Sequence, residues 1–393
     1  MSDSPLLAGP RQGWLGALLD RGAPLPVLGK ICARMQVMRR KRFRASLREN
    51  PVFRQKLEAS PLGKELQEAL SLWLALPPHT STLPPLAGAR GNPNVRCSVI
   101  INTVDRAEDL TRTLKDLHSQ WSSGLDELII VLGPTSDDTR ERIAQSGFAC
   151  RVIECPERNL AISRNLGLTA AVGEFVAFLD DDASPCDGWL EGLLDPLIKY
   201  PSAGTSAGFA LDGEGRHFRT RYVVSDRLGR SSWWDTEDDA RQQIARIGSS
   251  HTFLTATGCN MAFRRDRLLA HGGFDSFYAY FLEETDLVLR LLDAGHPCLV
   301  APQSVVFHRH ATNAARSPAA SMDARRVIIR SQLHFARKFS AAFYSHKEVE
   351  DFVWQRILIN LGRIGWDHPT HAAQFQADYL RGISADLSGR QIP

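Results

Sequence analysis

The 393-residue chain is long enough for one large α/β domain with appendages or for two domains, and its 43% hydrophobic and 23% charged content is that of an ordinary globular protein. A net charge of +3 is too small to argue for nucleic acid, and seven scattered cysteines without C-x-x-C spacing fit a reducing compartment rather than a disulfide scaffold. No apolar run approaches the roughly 20 residues needed to cross a bilayer. The N-terminus lacks the apolar core and cleavage site of a signal peptide, so a cytoplasmic location is expected.

Residues 1–76 read as helical and basic, with helix-like apolar spacing in Trp14–Leu19 and Leu62–Leu76. Residues 1–50 hold ten Lys/Arg against three acids, so the rest of the chain is net acidic. The stretch Arg39–Arg44 suits peripheral contact with an anionic membrane, at roughly 1 kcal/mol per basic residue near the surface; a solvated helix face suits it equally. The Pro/Gly-rich residues 77–94 read as a linker.

From 95 to about 312 strand and helix signals alternate. Cys97–Asn102, Glu127–Leu132, Cys150–Glu154 and the run from Phe175 read as strands; Glu108–Gln120, Asp137–Gln145 and Asn159–Ala171 read as helices. This order predicts a mostly parallel sheet with helices on both faces. The polar, Arg-rich segment 212–250, with Trp233 and Trp234, breaks the rhythm. A helix starts at Glu283, and Cys298–Ala301 reads as a strand. Residues 313–393 read as a helical extension without evident chemistry.

Asp180, Asp181 and Asp182 close the apolar run Phe175–Leu179. Three carboxylates at the mouth of a buried strand repel one another unless a cation or a set of donors sits among them. Asp180 and Asp182 stand two apart, which puts both on one face of extended backbone, and open α/β sheets bind ligands at the carboxyl ends of their strands. A solvated acidic turn is the alternative for the triplet taken alone.

The strings Ser98–Arg106, Asn159–Gly167, Phe178–Asp182, Gly258–Arg264, Gly272–Asp275, Glu283–Leu287 and Val306–His308, in that order, resemble the family 2 glycosyltransferases of GT-A fold over about residues 95–312. The resemblance implies an inverting, metal-dependent transfer of a sugar from a nucleotide sugar to a glycan or other glycoconjugate. It implies Asp180, Asp182 and His308 as ligands of Mn2+ or Mg2+, with His310 close enough to exchange roles with His308. Asp181 is placed beside the donor's ribose or sugar, Thr103 and Asp105 at the nucleobase and ribose, and Arg164 at nucleotide or phosphate. Glu284 is the expected base, in an acidic motif completed by Glu283 and Asp286. Gly133 stands where many relatives carry an acid reading the uracil edge, a departure that leaves the base open: UDP is still the first expectation, with GDP and dTDP as the others.

Two other classes compete. A nucleotidyltransferase needs a glycine-rich loop after the first strand to cradle a triphosphate, and Asn102–Arg106 has no glycine. A non-catalytic binding module on the same scaffold predicts loss of the acids, yet Asp180, Asp182, Glu284 and Asp286 are all present.

Overall fold

A computed structural model describes residues 51–121, 126–212, 215, 218–309, 318–367 and 372–388. The basic stretch Arg39–Arg44, Trp14–Leu19 and His310 lie outside the described residues. The chain divides into two compact units, one of residues 78–314 with 334–343, the other of residues 1–77, 315–333 and 344–393.

The first described elements of the second unit are helices α1 (Pro51–Ala59) and α2 (Pro61–Ala75). Ser60 caps α2 by accepting from the Gly63 N–H at 3.1 Å, and Pro61 occupies the first helical position, where no N–H is needed. Leu66, Leu70 and Trp73 of α2 are buried, as are Trp354, Ile357, Tyr379 and Ile383 from later in the chain. Arg54 bridges Glu58 and Asp351, each at 2.7 Å.

In the first unit, residues 78–94 form no helix or strand; Leu86, Ala89 and Asn92 donate backbone N–H bonds to Leu269, Thr169 and Val172. Then come β1 (Cys97–Thr103), α3 (Ala107–Ser119), β2 (Asp126–Leu132), α4 (Thr139–Gln145), β3 (Arg151–Glu154), α5 (Leu160–Ala170), β4 (Phe175–Asp180), β5 (Ala183–Pro185), α6 (Trp189–Lys199) and β6 (Thr205–Asp212). The segment that breaks the rhythm folds into β7 (Phe218–Thr220), β8 (Tyr222–Asp226), β9 (Ser231–Trp234), α7 (Glu237–Ile247) and β10 (Thr252–Thr255). After it follow β11 (Asn260–Arg264), α8 (Arg265–Ala270), α9 (Glu283–Asp293) and β12 (Cys298–His308). Three further helices are α10 (Pro318–Phe339), α11 (His346–Asp367) and α12 (Ala372–Leu387).

The main sheet runs β3-β2-β1-β4-β11-β6-β12-β5, with β7 beside β6, and β10-β8-β9 form a small antiparallel sheet. β1 pairs in parallel with β2 and β4, β2 with β3, and β6 with β12; β11 is antiparallel to both neighbours. Alternate residues serve opposite faces. Val99, Ile101, Ile130 and Leu179 pack with Leu110, Leu114, Trp189 and Leu193 on one side. Ile100, Ile129, Val131 and Phe178 pack with Ala161, Leu168, Leu287 and Leu291 on the other. At Gly167 the α5 backbone rides so close to β1 that a Cβ would lie 2.7 Å from Ile100. The α/β class expected of a GT-A type chain is therefore present: a mostly parallel sheet, helices on both faces and further helices toward both ends.

One expectation of the fold is corrected. β12 extends seven residues beyond Ala301, because a register shift between Ala301 and Val305 carries the strand past Pro302. The 212–250 segment, to which the sequence assigns no elements, holds three strands and a helix among its described residues. Its Trp234 packs against Phe209 and Tyr222, whereas Trp233 is 61% exposed.

Candidate functional site

Register brings the first ligand set together. β1 and β4 end side by side, Asn102 opposite Asp180, and β5 turns back so that Ala183 pairs with His308 of β12. The Arg309 N–H donates to the Asp182 carbonyl at 3.0 Å, and the Thr113 hydroxyl donates to the Asp181 carbonyl at 2.9 Å, fixing the acidic turn. His308 Nε2 lies 3.0 Å from Asp182 Oδ1 and 3.7 Å from Asp180 Oδ2. One ligand atom from each of Asp180, Asp182 and His308 falls within 4.8 Å of the others. Burial alone would lower the His308 pKa, but the hydrogen bond to Asp182, with Cys259 and Asp180 nearby, pushes it up to about 11. Two hard oxygens and one imidazole nitrogen converging in this way fit a divalent cation.

Arg106 was not singled out from sequence. Its Nη1 lies 2.8 Å from Asp182 Oδ2 and 3.5 Å from Asp181 Oδ1. Burial pushes the Asp181 carboxyl up to about 7 against the pull of that guanidinium. Only the position of Arg106, directly after Asp105 at the end of the first strand, hinted at this role.

The acidic helix start is the second element. Glu283, Glu284 and Asp286 all sit in the first turn of α9, where the helix dipole favours negative charge. Phe281 and Leu282 precede it with φ of 78° and 72°, a strained pair for non-glycine residues. Leu282 is buried, as is the adjacent Phe335 ring. Glu283 is buried and accepts from Arg164 Nη1 at 2.8 Å. Glu284 is partly buried, and burial together with the Glu283 carboxylate raises its pKa well above the ordinary carboxylate range.

Arg164, expected to reach nucleotide or phosphate, is instead buried between the Phe178 and Phe274 rings. Its Nη2 lies 3.8 Å from Asp180 Oδ1 and donates to the Gly258 carbonyl at 3.4 Å. A Cβ at Gly258 would lie 2.6 Å from that nitrogen, which explains the glycine. Arg164 thus joins Asp180, at the end of β4, to Glu283, at the start of α9.

Asp286 is fully buried, accepting from Arg290 Nε at 2.6 Å, Tyr278 OH at 3.1 Å and Lys338 Nζ at 2.5 Å. Lys338 also reaches Asp275 at 2.8 Å, which His334 Nε2 approaches at 2.9 Å. Lys338 and His334 come from the helical extension and carried no motif. Their signal is visible only in three dimensions.

At the end of β1, Thr103 is buried and Asp105 takes φ 51°. Asp105 accepts from the Ser136 N–H at 2.6 Å and the Thr135 hydroxyl at 3.1 Å, and it pairs with Arg158. These donors hold its carboxyl well below the usual range. Asp105 is therefore locked to the loop after β2, next to Gly133.

Residues 98–269 match the family model described as Glycosyl transferase family 2. A pre-mycofactocin glycosyltransferase of Mycobacterium tuberculosis is 32% identical over 152 residues, 39% of this chain and 30% of that protein. A glucosyl-dolichyl phosphate glucuronosyltransferase of Haloferax volcanii is 25% identical over 196 residues, 46% of this chain and 56% of that protein. The chain thus spans about a third to a half of these relatives' lengths. Among solved structures, the mannosyltransferase PcManGT from Pyrobaculum calidifontis, in complex with GDP-Man and Mn2+, is 17% identical with a TM-score of 0.48, covering 86% of this chain and 99% of that one. Among the described residues no helix is long and apolar enough to cross a membrane.

Proposed function

We propose, for a chain whose residues 98–269 belong to glycosyl transferase family 2, an inverting, metal-dependent transfer of a sugar from a nucleotide sugar to a hydroxyl of a glycan or other glycoconjugate. A UDP-sugar is the first donor to test. The observation that carries the reading is the Arg164 bridge, which sets Asp180 of the acidic turn and Glu283 of the acidic helix at two ends of one guanidinium.

Asp180, Asp182 and His308 would hold Mn2+ or Mg2+, which when bound offsets the negative charge of a leaving diphosphate. Glu284 takes the proton of the acceptor hydroxyl. The acceptor oxygen then forms its bond to the anomeric carbon from the face opposite the nucleotide. The glycosidic C–O bond breaks with its electron pair going to the diphosphate, and configuration inverts. A raised pKa suits a group that must take a proton near neutrality and pass it on.

Thr103, Asp105 and Asp181 are assigned to the base, ribose and sugar of the donor. Arg164, Glu283 and Asp286 hold α9 against β4 and so position Glu284. The cytoplasmic location and the membrane contact of the basic N-terminal region stay as proposals for fractionation.

The test is release of nucleoside diphosphate from a panel of UDP-, GDP- and dTDP-sugars with and without Mn2+. Mn2+-dependent release that disappears in Asp182→Ala supports the proposal. Release of pyrophosphate from a nucleoside triphosphate instead would make the protein a nucleotidyltransferase, and no turnover of any donor would make it a binding module.

A further inference from the structure

Asp182 is the residue on which the metal-ligand set closes, and a fixed cation already stands on one of its oxygens. Oδ1 faces His308 Nε2 at 3.0 Å, while Oδ2 accepts from Arg106 Nη1 at 2.8 Å. Arg106 cannot drift away freely. Its own N–H donates to the Thr139 hydroxyl at 3.3 Å, and the next N–H, that of Ala107, donates to Asp137 at 3.1 Å. Its side chain is 28% exposed, so the guanidinium lies at the mouth of the acidic turn rather than deep beneath it.

We propose that Arg106 is a resident counter-ion of the metal-ligand set, one that weakens capture of a divalent cation by Asp182 until a nucleoside diphosphate arrives. The inference rests on the metal-dependent reading above. A cation taken up by Asp182 meets a like charge already hydrogen-bonded to the same carboxylate, and in a partly buried site that repulsion is poorly screened. A diphosphate brings negative charge that both cations favour, and a guanidinium is the side chain suited to phosphate oxygens. Cation and nucleotide therefore bind with positive coupling, which by linkage must act equally in both directions. The acidic turn is kept from holding a metal tightly without its donor.

The experiment is titration of the full chain with Mn2+, reading free Mn2+ by electron paramagnetic resonance, alone and with UDP or GDP, whichever the protein binds. Parent, Arg106→Gln, Arg106→Lys and Asp182→Asn are compared. The expected result is that Arg106→Gln binds Mn2+ alone roughly tenfold more tightly than the parent, the order expected for removing one nearby like charge. The tightening produced by nucleotide should shrink by a similar factor, while Arg106→Lys stays near the parent. If Arg106→Gln binds Mn2+ no more tightly than the parent, the inference is overturned while the metal site stands. If Asp182→Asn binds Mn2+ as well as the parent, the metal assignment itself fails and takes the inference with it. Should Arg106→Gln not fold, the parent still decides: equal Mn2+ affinity with and without nucleotide overturns the coupling.

Discussion

Arg164 donates to Glu283 across 2.8 Å with both side chains buried, 2% and 4% exposed. Removing one partner of such a pair leaves a buried charge without compensation, which costs about 3–5 kcal/mol. Arg164→Met should lower the urea midpoint accordingly. It should also slow transfer more than it weakens donor binding, because the bridge sets where α9 sits. A variant with parental stability and rate would show that the bridge organises nothing.

Glu284→Gln keeps the shape of the side chain but removes the proton acceptor. Transfer should fall by roughly 10²–10⁴-fold, the usual contribution of a positioned base, with donor affinity unchanged by calorimetry. An undiminished rate would assign the base elsewhere.

The pH profile follows from the same residue. Burial and the Glu283 charge raise the Glu284 pKa, and only the deprotonated form accepts a proton. The rate should therefore climb with pH along a limb well above the roughly 4.3 of an ordinary glutamate, then level off. A rate already flat from pH 5 upward would contradict the assignment.

Asp275 gives a stability prediction. Burial alone would raise its pKa, but His334 and Lys338 override this and hold it below the usual range. A depressed carboxyl contributes stability that is fully present above its unfolded value, about 3.9, and is lost as pH falls toward the folded value. The parent's resistance to urea should fall below about pH 4, and Asp275→Asn should flatten that dependence. Parallel curves for the two proteins would place the acid-sensitive group elsewhere.

The acidic turn was legible because its chemistry is contiguous: Asp180, Asp181 and Asp182 end an apolar run, and a strand's geometry does the rest. The β1 to β4 alternation was legible for the same reason, each element carrying its period in a few consecutive letters. Arg106 was not, since an arginine between a strand and a helix looks like any solvated side chain until β4 is laid beside β1. Lys338 lies 52 residues from the Asp286 it neutralises, and nothing local marks a lysine that will be buried. The far half of β12 was hidden by Pro302, whose break in pattern the register shift absorbs. The resemblance implied Glu284 as base and Arg164 as a donor contact, but no local signal foretold that Arg164 would be buried between the Phe178 and Phe274 rings.

The family match ends at residue 269, yet Lys338 and His334 sit within the sheet-bearing unit on Asp275 and Asp286. A shortened version of the protein cut after β12, near residue 312, would keep Asp275 and Asp286 but strip the counter-charges of Lys338 and His334 from them. Trimming for expression or crystallisation should accordingly keep the chain at least through Phe343, where that unit's last segment stops.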